Sequence, residues 1–162
     1  MKTSILNNKM ILAVDGDQVV LQILEKEVLK AAPNCYFYKA TEYQEANELL
    51  ASFTYDLVIL DIKVVHAIDL LTLAVNRPSP FPVLMLTPHA PDAEAPRHFT
   101  EMGVRAYLPK EKLSEAVPLL EDVLSQYLPF WRRIFEPLRG FFNTRRRPTL
   151  VEVQARAESL KV

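Results

Sequence analysis

The stretch Leu57-Val58-Ile59-Leu60-Asp61 decides the fold class, because a run of apolar residues ends there on a carboxylate. A short strand that is apolar at every position is typical of a parallel sheet covered on both faces. Burying a charge at its end is costly, so we expect Asp61 to emerge at the carboxyl edge of the sheet. Residues 10–14 (MILAV) end in the same way on Asp15. The two strands predict a shared site for a cation or a phosphoryl group.

Five short apolar runs alternate with segments of helical periodicity along the first 127 residues. This alternation predicts an α/β fold in which helices wrap a parallel sheet. The predicted strands span residues 10–14, 35–39, 56–60, 83–87 and 105–108. The predicted helices span residues 18–32, 41–53, 68–75, a short stretch that ends at 102–103, and 114–127.

Local signals mark where three of these helices begin. Asp17 is a good N-cap for the first helix. Thr41, followed by Gln44, has the pattern of a capping box and predicts the start of the second helix. A proline inside a helix costs about 3 kcal/mol, so the fourth helix should be short and begin near Pro91 or Pro96.

Length and composition bound the class of protein. A chain of 162 residues with 49% hydrophobic content is long enough for one packed domain and an appendage. Its single cysteine, Cys35, cannot form an internal disulfide, and no Cys/His spacing resembles a zinc site. The N-terminus has no apolar signal region, and no stretch approaches the ~20 apolar residues of a membrane span. These features predict a cytoplasmic protein.

The overall charge of -1 hides a division of charge at Tyr127. Residues 1–127 carry 11 Lys+Arg against 17 Asp+Glu, whereas residues 128–162 carry 8 against 3. We therefore divide the chain into an acidic domain, residues 1–127, and a basic aromatic extension, residues 128–162, which we expect to be helical.

Four polar residues lie at the ends of different predicted strands: Asp15, Asp61, Thr87 and Lys110. With Gly103 and the run AYLPK at residues 106–110, this ordered set resembles the receiver domain of two-component response regulators. The resemblance covers about residues 9–127. It implies a flavodoxin-like, doubly wound fold with strand order 2-1-3-4-5 and a role in phosphorelay signalling.

The resemblance also implies a chemistry for the site. Asp61 would accept a phosphoryl group from a phosphohistidine on a sensor histidine kinase or a phosphotransfer protein. Magnesium would be held by Asp15, Asp61 and the backbone carbonyl of Lys63, a donor set that suits this ion. Lys110 and Thr87 would each contact a phosphoryl oxygen, because phosphoryl transfer depends on positioning and charge neutralisation. Any catalysis would be limited to the domain's own phosphorylation and dephosphorylation.

Tyr107 lies three residues before Lys110, where receivers carry an aromatic residue that reorients when the threonine hydroxyl moves toward the phosphoryl group. We interpret it as a switch residue, with ordinary strand packing as the alternative. The switch would alter the surface formed by the fourth helix, fifth strand and fifth helix. That surface is also a candidate interface for a homodimer.

Gly16 departs from the pattern, because receivers usually carry a second acidic residue immediately after the first. The loss of one carboxylate predicts weaker magnesium binding. Asp17 is a candidate replacement. The alternative is that its side chain is committed to capping the first helix.

Two further departures surround the site. Glu111 follows Lys110 where the family has a proline preceded by a cis peptide bond. A cis bond before another residue costs ~2.5 to 4 kcal/mol, so we expect a trans bond and a differently aimed Lys110. Pro88 follows Thr87 where a small residue is typical.

These departures support a rival interpretation. A pseudo-receiver would keep the fold and act as a protein-interaction or dimerisation module without phosphorylation. A magnesium-dependent phosphatase of similar fold is disfavoured, because neither a lid domain nor a second acid/base aspartate is evident.

The basic extension carries aromatic residues at helical spacing with arginines beside them. We expect its binding surface to consist of Trp131, Arg132, Arg133, Arg145, Arg146 and Arg147. It could cover the domain's own surface, form a homodimer or attach to an anionic membrane, which would make the protein membrane-peripheral. Specific DNA binding is not expected, because 35 residues are too few for a groove-reading output domain.

Overall fold

The computed structural model describes residues 3–89 and 95–127, in which strands and helices alternate along the chain. The strands are β1 (Met10–Val14), β2 (Tyr36–Ala40), β3 (Leu57–Asp61), β4 (Val83–Thr87) and β5 (Val104–Pro109). The helices are α1 (Gln18–Ala31), α2 (Tyr43–Ser52), α3 (Ala67–Val75), α4 (Ala95–Glu101) and α5 (Ala116–Tyr127), with a 3-10 helix at Lys110–Glu115. The predicted strand and helix order is confirmed.

The five strands form one parallel sheet in the order β2-β1-β3-β4-β5. This topology confirms the doubly wound, flavodoxin-like fold. Strands β1, β3 and β4 are buried at every position, which explains their continuous apolar sequences. Because all strands run in one direction, Asp15, Asp61 and Thr87 share the carboxyl edge of the sheet.

Each face of the sheet carries its own hydrophobic core, since successive side chains of a strand point to opposite faces. Ile11 and Ala13 of β1 belong to the core shared with α1 and α5. Leu12 and Val14 belong to the core shared with α2 and α3. The central strands are thereby fixed from both sides, and the strand ends that carry polar residues are fixed with them.

Helix α1 begins as predicted, whereas the start of α2 differs. The Asp17 side chain accepts a hydrogen bond from the Val19 amide at 2.8 Å and caps α1. The predicted capping box at Thr41 is wrong, because α2 begins only after Glu42 and has no side-chain cap. Glu45 instead turns back and accepts a hydrogen bond from the Thr41 amide at 3.1 Å. The backbone N–H of Thr41, which precedes α2, thus has its acceptor in the first turn of the helix.

The fifth helix starts later than predicted, at Ala116 rather than near residue 114. The chain first forms the 3-10 helix, which contains a non-helical residue at Lys112. Pro118 then lies in the first turn of α5. Backbone N–H groups in the first turn have no acceptor within the helix, so the missing N–H of proline costs no hydrogen bond there. Pro96 occupies the first turn of α4 in the same way.

The residues predicted to form the binding surface of the extension lie outside the described residues. These are Trp131, Arg132, Arg133, Arg145, Arg146 and Arg147. Within the described ranges, no helix is both long enough and apolar enough to cross a membrane.

Gly103 joins α4 to β5 with a backbone φ of 107°, a conformation that residues with a Cβ rarely adopt. A Cβ at this position would also lie 3.1 Å from Cγ1 of Val75. Both constraints fix a glycine here, and together they set the turn that brings β5 to the edge of the sheet.

We expect Gly103→Ala to lower the free energy of unfolding by about 1 to 3 kcal/mol, because alanine is strained at this φ. Gly16→Ala is the matched control, since the nearest atom to its added Cβ would be the Thr41 carbonyl oxygen at 4.0 Å. The control should change stability by less than about 1 kcal/mol. Urea denaturation of both variants checks this, and equal losses would contradict the role given to Gly103.

Candidate functional site

The site lies at the point where the strand order reverses, between the ends of β1 and β3. The chain leaves β1 toward β2 on one side, and β3 lies on the other, so a crevice opens at this edge. Asp15 directly follows β1 and Asp61 is the last residue of β3. They are 1% and 3% exposed. Two carboxylates are therefore buried side by side at the edge of the sheet.

Lys110 connects the two carboxylates. Its Nζ lies 2.7 Å from Oδ2 of Asp15 and 2.9 Å from Oδ2 of Asp61. The prediction that the residue after Lys110 would aim it differently is therefore wrong. The described residues contain no cis peptide bond, yet the turn from β5 into the 3-10 helix brings this side chain to the crevice.

The other oxygen of each carboxylate is held by the backbone two residues further along. Oδ1 of Asp15 accepts a hydrogen bond from the Asp17 amide at 2.8 Å. Oδ1 of Asp61 accepts one from the Lys63 amide at 3.0 Å. This repeated local turn directs both Oδ2 atoms toward Lys110.

Burial and charge act in opposite directions on the ionisable groups of the site. Burial raises the pKa of Asp15, the hydrogen bonds from Lys110 and Asp17 oppose it, and the nearby charge of Asp61 adds to the rise. Burial lowers the pKa of Lys110, but its hydrogen bonds to Asp15 and Asp61 outweigh this, so the pKa is raised. Lys110 is therefore held in its charged form at neutral pH.

The donor atoms of the site fit a magnesium ion. Oδ2 of Asp15 and Oδ2 of Asp61 both face the Lys110 ammonium, at 2.7 and 2.9 Å, so two carboxylate oxygens converge on one cation. Carboxylate oxygens are the ligands that this hard cation favours, and a bound ion would share these oxygens with Lys110. A bound ion would take the two aspartates, and the carbonyl of Lys63 is the predicted third ligand.

Among the described residues, few acidic side chains lie where a bound ion would sit. Within residues 3–89 and 95–127, no group of three or more His, Cys, Asp or Glu side chains is arranged to hold a metal. Gly16 contributes no side chain, and Asp17 uses Oδ1 to cap α1. The structure thus places Asp17 in its helix-capping role.

The carboxylates open into a cleft of about 680 Å³. Its wall is built by the loops that follow β1, β2 and β3, together with Lys110. The lining residues are Asp15, Gly16, Asp17, Thr41, Glu42, Tyr43, Gln44, Asp61, Lys63, Val64, Val65, His66 and Lys110. Asp61 therefore forms part of the inner wall of a cleft that reaches the solvent.

Thr87 ends β4, the strand beside β3, and Tyr107 lies on β5, and the side chains of both make other contacts. The Thr87 hydroxyl donates a hydrogen bond to the His89 carbonyl at 2.7 Å. The Tyr107 hydroxyl lies 3.3 Å from Oγ1 of Thr100 on α4. The structure thus brings together three of the predicted catalytic and metal-binding side chains, namely Asp15, Asp61 and Lys110, and holds Thr87 and Tyr107 in separate hydrogen bonds.

Two aromatic rings form part of the cleft wall that sequence reasoning missed. The rings of Tyr43 and His66 lie 5.1 Å apart. Nδ1 of His66 is 3.2 Å from the Asp69 carboxylate, and the backbone of His66 adopts a left-handed conformation with a φ of 59°. The three-residue spacing of His66 and Asp69 was a usable signal for their contact. The pairing with Tyr43 joins the first residue of α2 to the residue before α3 and has no local signature.

Comparison with solved structures gives a uniform result. A response regulator receiver domain from Rhodospirillum rubrum matches with 23% identity and a TM-score of 0.59, over 72% of this chain and 94% of that one. A receiver domain of a Francisella response regulator matches with 20% identity and a TM-score of 0.64, over 74% and 98%. The phosphorylated cyanobacterial phytochrome response regulator RcpA matches with 17% identity and a TM-score of 0.60, over 74% and 94%. At these identities the likeness shows the fold.

The family comparison covers more than half of the chain. The comparison with curated proteins found no match to this chain. The model of the response regulator receiver domain matches residues 11–119, which include both carboxylates, Thr87, Tyr107 and Lys110. The chain therefore belongs to the response regulator receiver domain family.

Proposed function

We propose that this receiver domain accepts a phosphoryl group on Asp61, with magnesium, and signals through the resulting conformational change. The observation that carries the proposal is the contact of Lys110 with two buried carboxylates in an open cleft. Receiver domains interact with histidine kinases or phosphotransfer proteins, so the donor proposed here is a phosphohistidine on such a partner.

The transfer itself needs an aspartate oxygen with a free lone pair. An oxygen of Asp61 attacks phosphorus, the bond from phosphorus to the histidine nitrogen breaks, and the imidazole leaves with that electron pair. The Lys63 amide keeps the carboxylate oriented through its 3.0 Å hydrogen bond. Lys110 then shifts its charge from the carboxylate toward a transferred oxygen, where it offsets the developing charge. Magnesium, when bound, neutralises further negative charge on the transferring group.

Apolar side chains near the cleft support a protein donor. Val19 and Ile23 lie on the first two turns of α1 and are 60% and 41% exposed. Val65 and Ile68, on the loop after β3 and the start of α3, are 69% and 51% exposed. Exposed apolar groups on α1 and around the loop after β3 suit a protein partner.

The pseudo-receiver interpretation is not favoured. Gly16 and Glu111 were its two supports, and Lys110 reaches both carboxylates although Glu111 follows it. Gly16 remains a genuine difference in the metal site, and its effect is on affinity for the ion rather than on the arrangement of Asp61. Membrane attachment and dimerisation of the extension stay predictions from sequence.

Incubation of the full chain with magnesium and a small phosphoryl donor should add one phosphoryl group that intact-mass analysis detects. Asp61→Asn should abolish the adduct, because the nucleophilic oxygen is lost. Asp69→Asn is the control, since this exposed carboxylate pairs with His66 and should not affect labelling. No Asp61-dependent adduct, with either the small donor or a cognate kinase, would sink the proposed function.

Gly16→Asp should tighten magnesium binding, because it restores a carboxylate where nothing lies closer than 4.0 Å to an added Cβ. One more unit charge near the ion contributes about 1 kcal/mol or more, so we expect about fivefold or greater tightening. Magnesium-dependent shifts in melting temperature measure this affinity, because an ion that binds only the folded state stabilises it.

Gly16→Asn is the matched control for the magnesium experiment, since it has the same shape as the aspartate variant without its charge. The asparagine variant should bind magnesium about as weakly as the parent. Equal affinities in the two variants would show that the missing acid does not limit the ion.

A further inference from the structure

The carboxyl end of β4, the strand beside β3, carries a hydrogen bond that the proposed chemistry does not use. Thr87 is the last residue of β4 and is 5% exposed. Its Oγ1 donates a hydrogen bond to the His89 carbonyl oxygen, with donor and acceptor 2.7 Å apart. Pro88 lies between the two residues. We call this Thr87–His89 hydrogen bond the hydroxyl latch.

The latch occupies the only proton that the Thr87 hydroxyl can donate. A hydroxyl has one donor and two acceptor positions. A phosphoryl oxygen on Asp61 would be an acceptor and would therefore need that proton. While the latch is closed, Thr87 presents only lone pairs toward other groups. Thr87 can donate to a phosphoryl group only after the latch opens.

Pro88 limits the conformations of the turn that closes the latch. Its ring fixes its own φ near −65°, and it keeps the preceding residue, Thr87, in extended backbone. A residue with a freer φ would give the turn more conformations in which the His89 carbonyl points away. Exchanging proline for another residue at a compatible site changes such an equilibrium by about two- to fivefold.

We propose that Pro88 is a positioning residue that holds the latch closed and so sets how readily the site responds to a phosphoryl group. The inference rests on the proposed function of Asp61. One neutral hydrogen bond changes an equilibrium constant by about two- to tenfold. The latch therefore biases the response of Thr87 without preventing it.

The test uses the full chain with Pro88→Ala, and Pro78→Ala as the control. Pro78 is an exposed proline between α3 and β4, at the opposite edge of the sheet. The first measurement is exchange of the Thr87 hydroxyl proton with water, followed by NMR in the unligated protein. We expect about two- to fivefold faster exchange in Pro88→Ala and no change in the control.

The second measurement is affinity for beryllium fluoride, a phosphoryl analogue, in the presence of magnesium. Pro88→Ala should bind it about two- to fivefold more tightly than the parent, and Pro78→Ala should bind it equally. Pro88→Gly should give at least as large an effect, which keeps the test informative if one variant folds poorly. A purely structural role of Pro88 would change the melting temperature and leave the affinity unchanged.

The outcomes separate the two proposals. Equal hydroxyl exchange in the parent and Pro88→Ala overturns the latch, and so does faster exchange with an unchanged analogue affinity. Absence of Asp61-dependent analogue binding in every variant overturns the proposed function together with the role of the latch. Binding that depends on Asp61 but not on position 88 overturns the latch alone.

Discussion

Two carboxylates buried beside each other at one edge of the sheet impose the main physical constraint on this domain. Asp15 and Asp61 lose nearly all contact with water, and each isolated charge in such a position costs several kcal/mol. The structure offsets the cost with the ammonium group of Lys110 and with one backbone amide for each carboxylate. The 3-10 helix after β5 supplies the ammonium group, and the loops after β1 and β3 supply the two amides.

The part of the fold set by burial could be read from the sequence. Continuous apolar runs such as residues 57–60 favour a strand covered on both faces, and each marks where its polar end emerges. The same logic found Asp15, Asp61, Thr87 and Lys110, because parallel strands collect their carboxyl ends at one edge. Asp17 was also predictable, since N-capping is decided within three residues.

Features that depend on contacts between loops could not be predicted in this way. The start of α2 was predicted too early, at Thr41. The Thr41 N–H donates a hydrogen bond to the Glu45 side chain, and a sequence pattern for a capping box does not reveal this contact. The direction of the Lys110 side chain was predicted wrongly from its neighbour Glu111. The peptide bond after a residue is only one of several factors that determine the position of the end of a long side chain. The hydrogen bond of Thr87 depends on the path of the chain beyond β4, which periodicity does not describe.

The paired turns that hold Asp15 and Asp61 separate the geometry of the site from its electrostatics. Each carboxylate is oriented by a main-chain amide two residues later, so the intervening side chain, at Gly16 or Ile62, takes no part in that hydrogen bond. Substitution at position 16 can therefore change the charge presented to a cation while Asp61 stays in place. A single substitution at position 16 can therefore change the affinity for a metal ion while the hydrogen bonds that orient the two carboxylates are kept. Position 16 is for the same reason a suitable site for engineering the metal dependence of this fold.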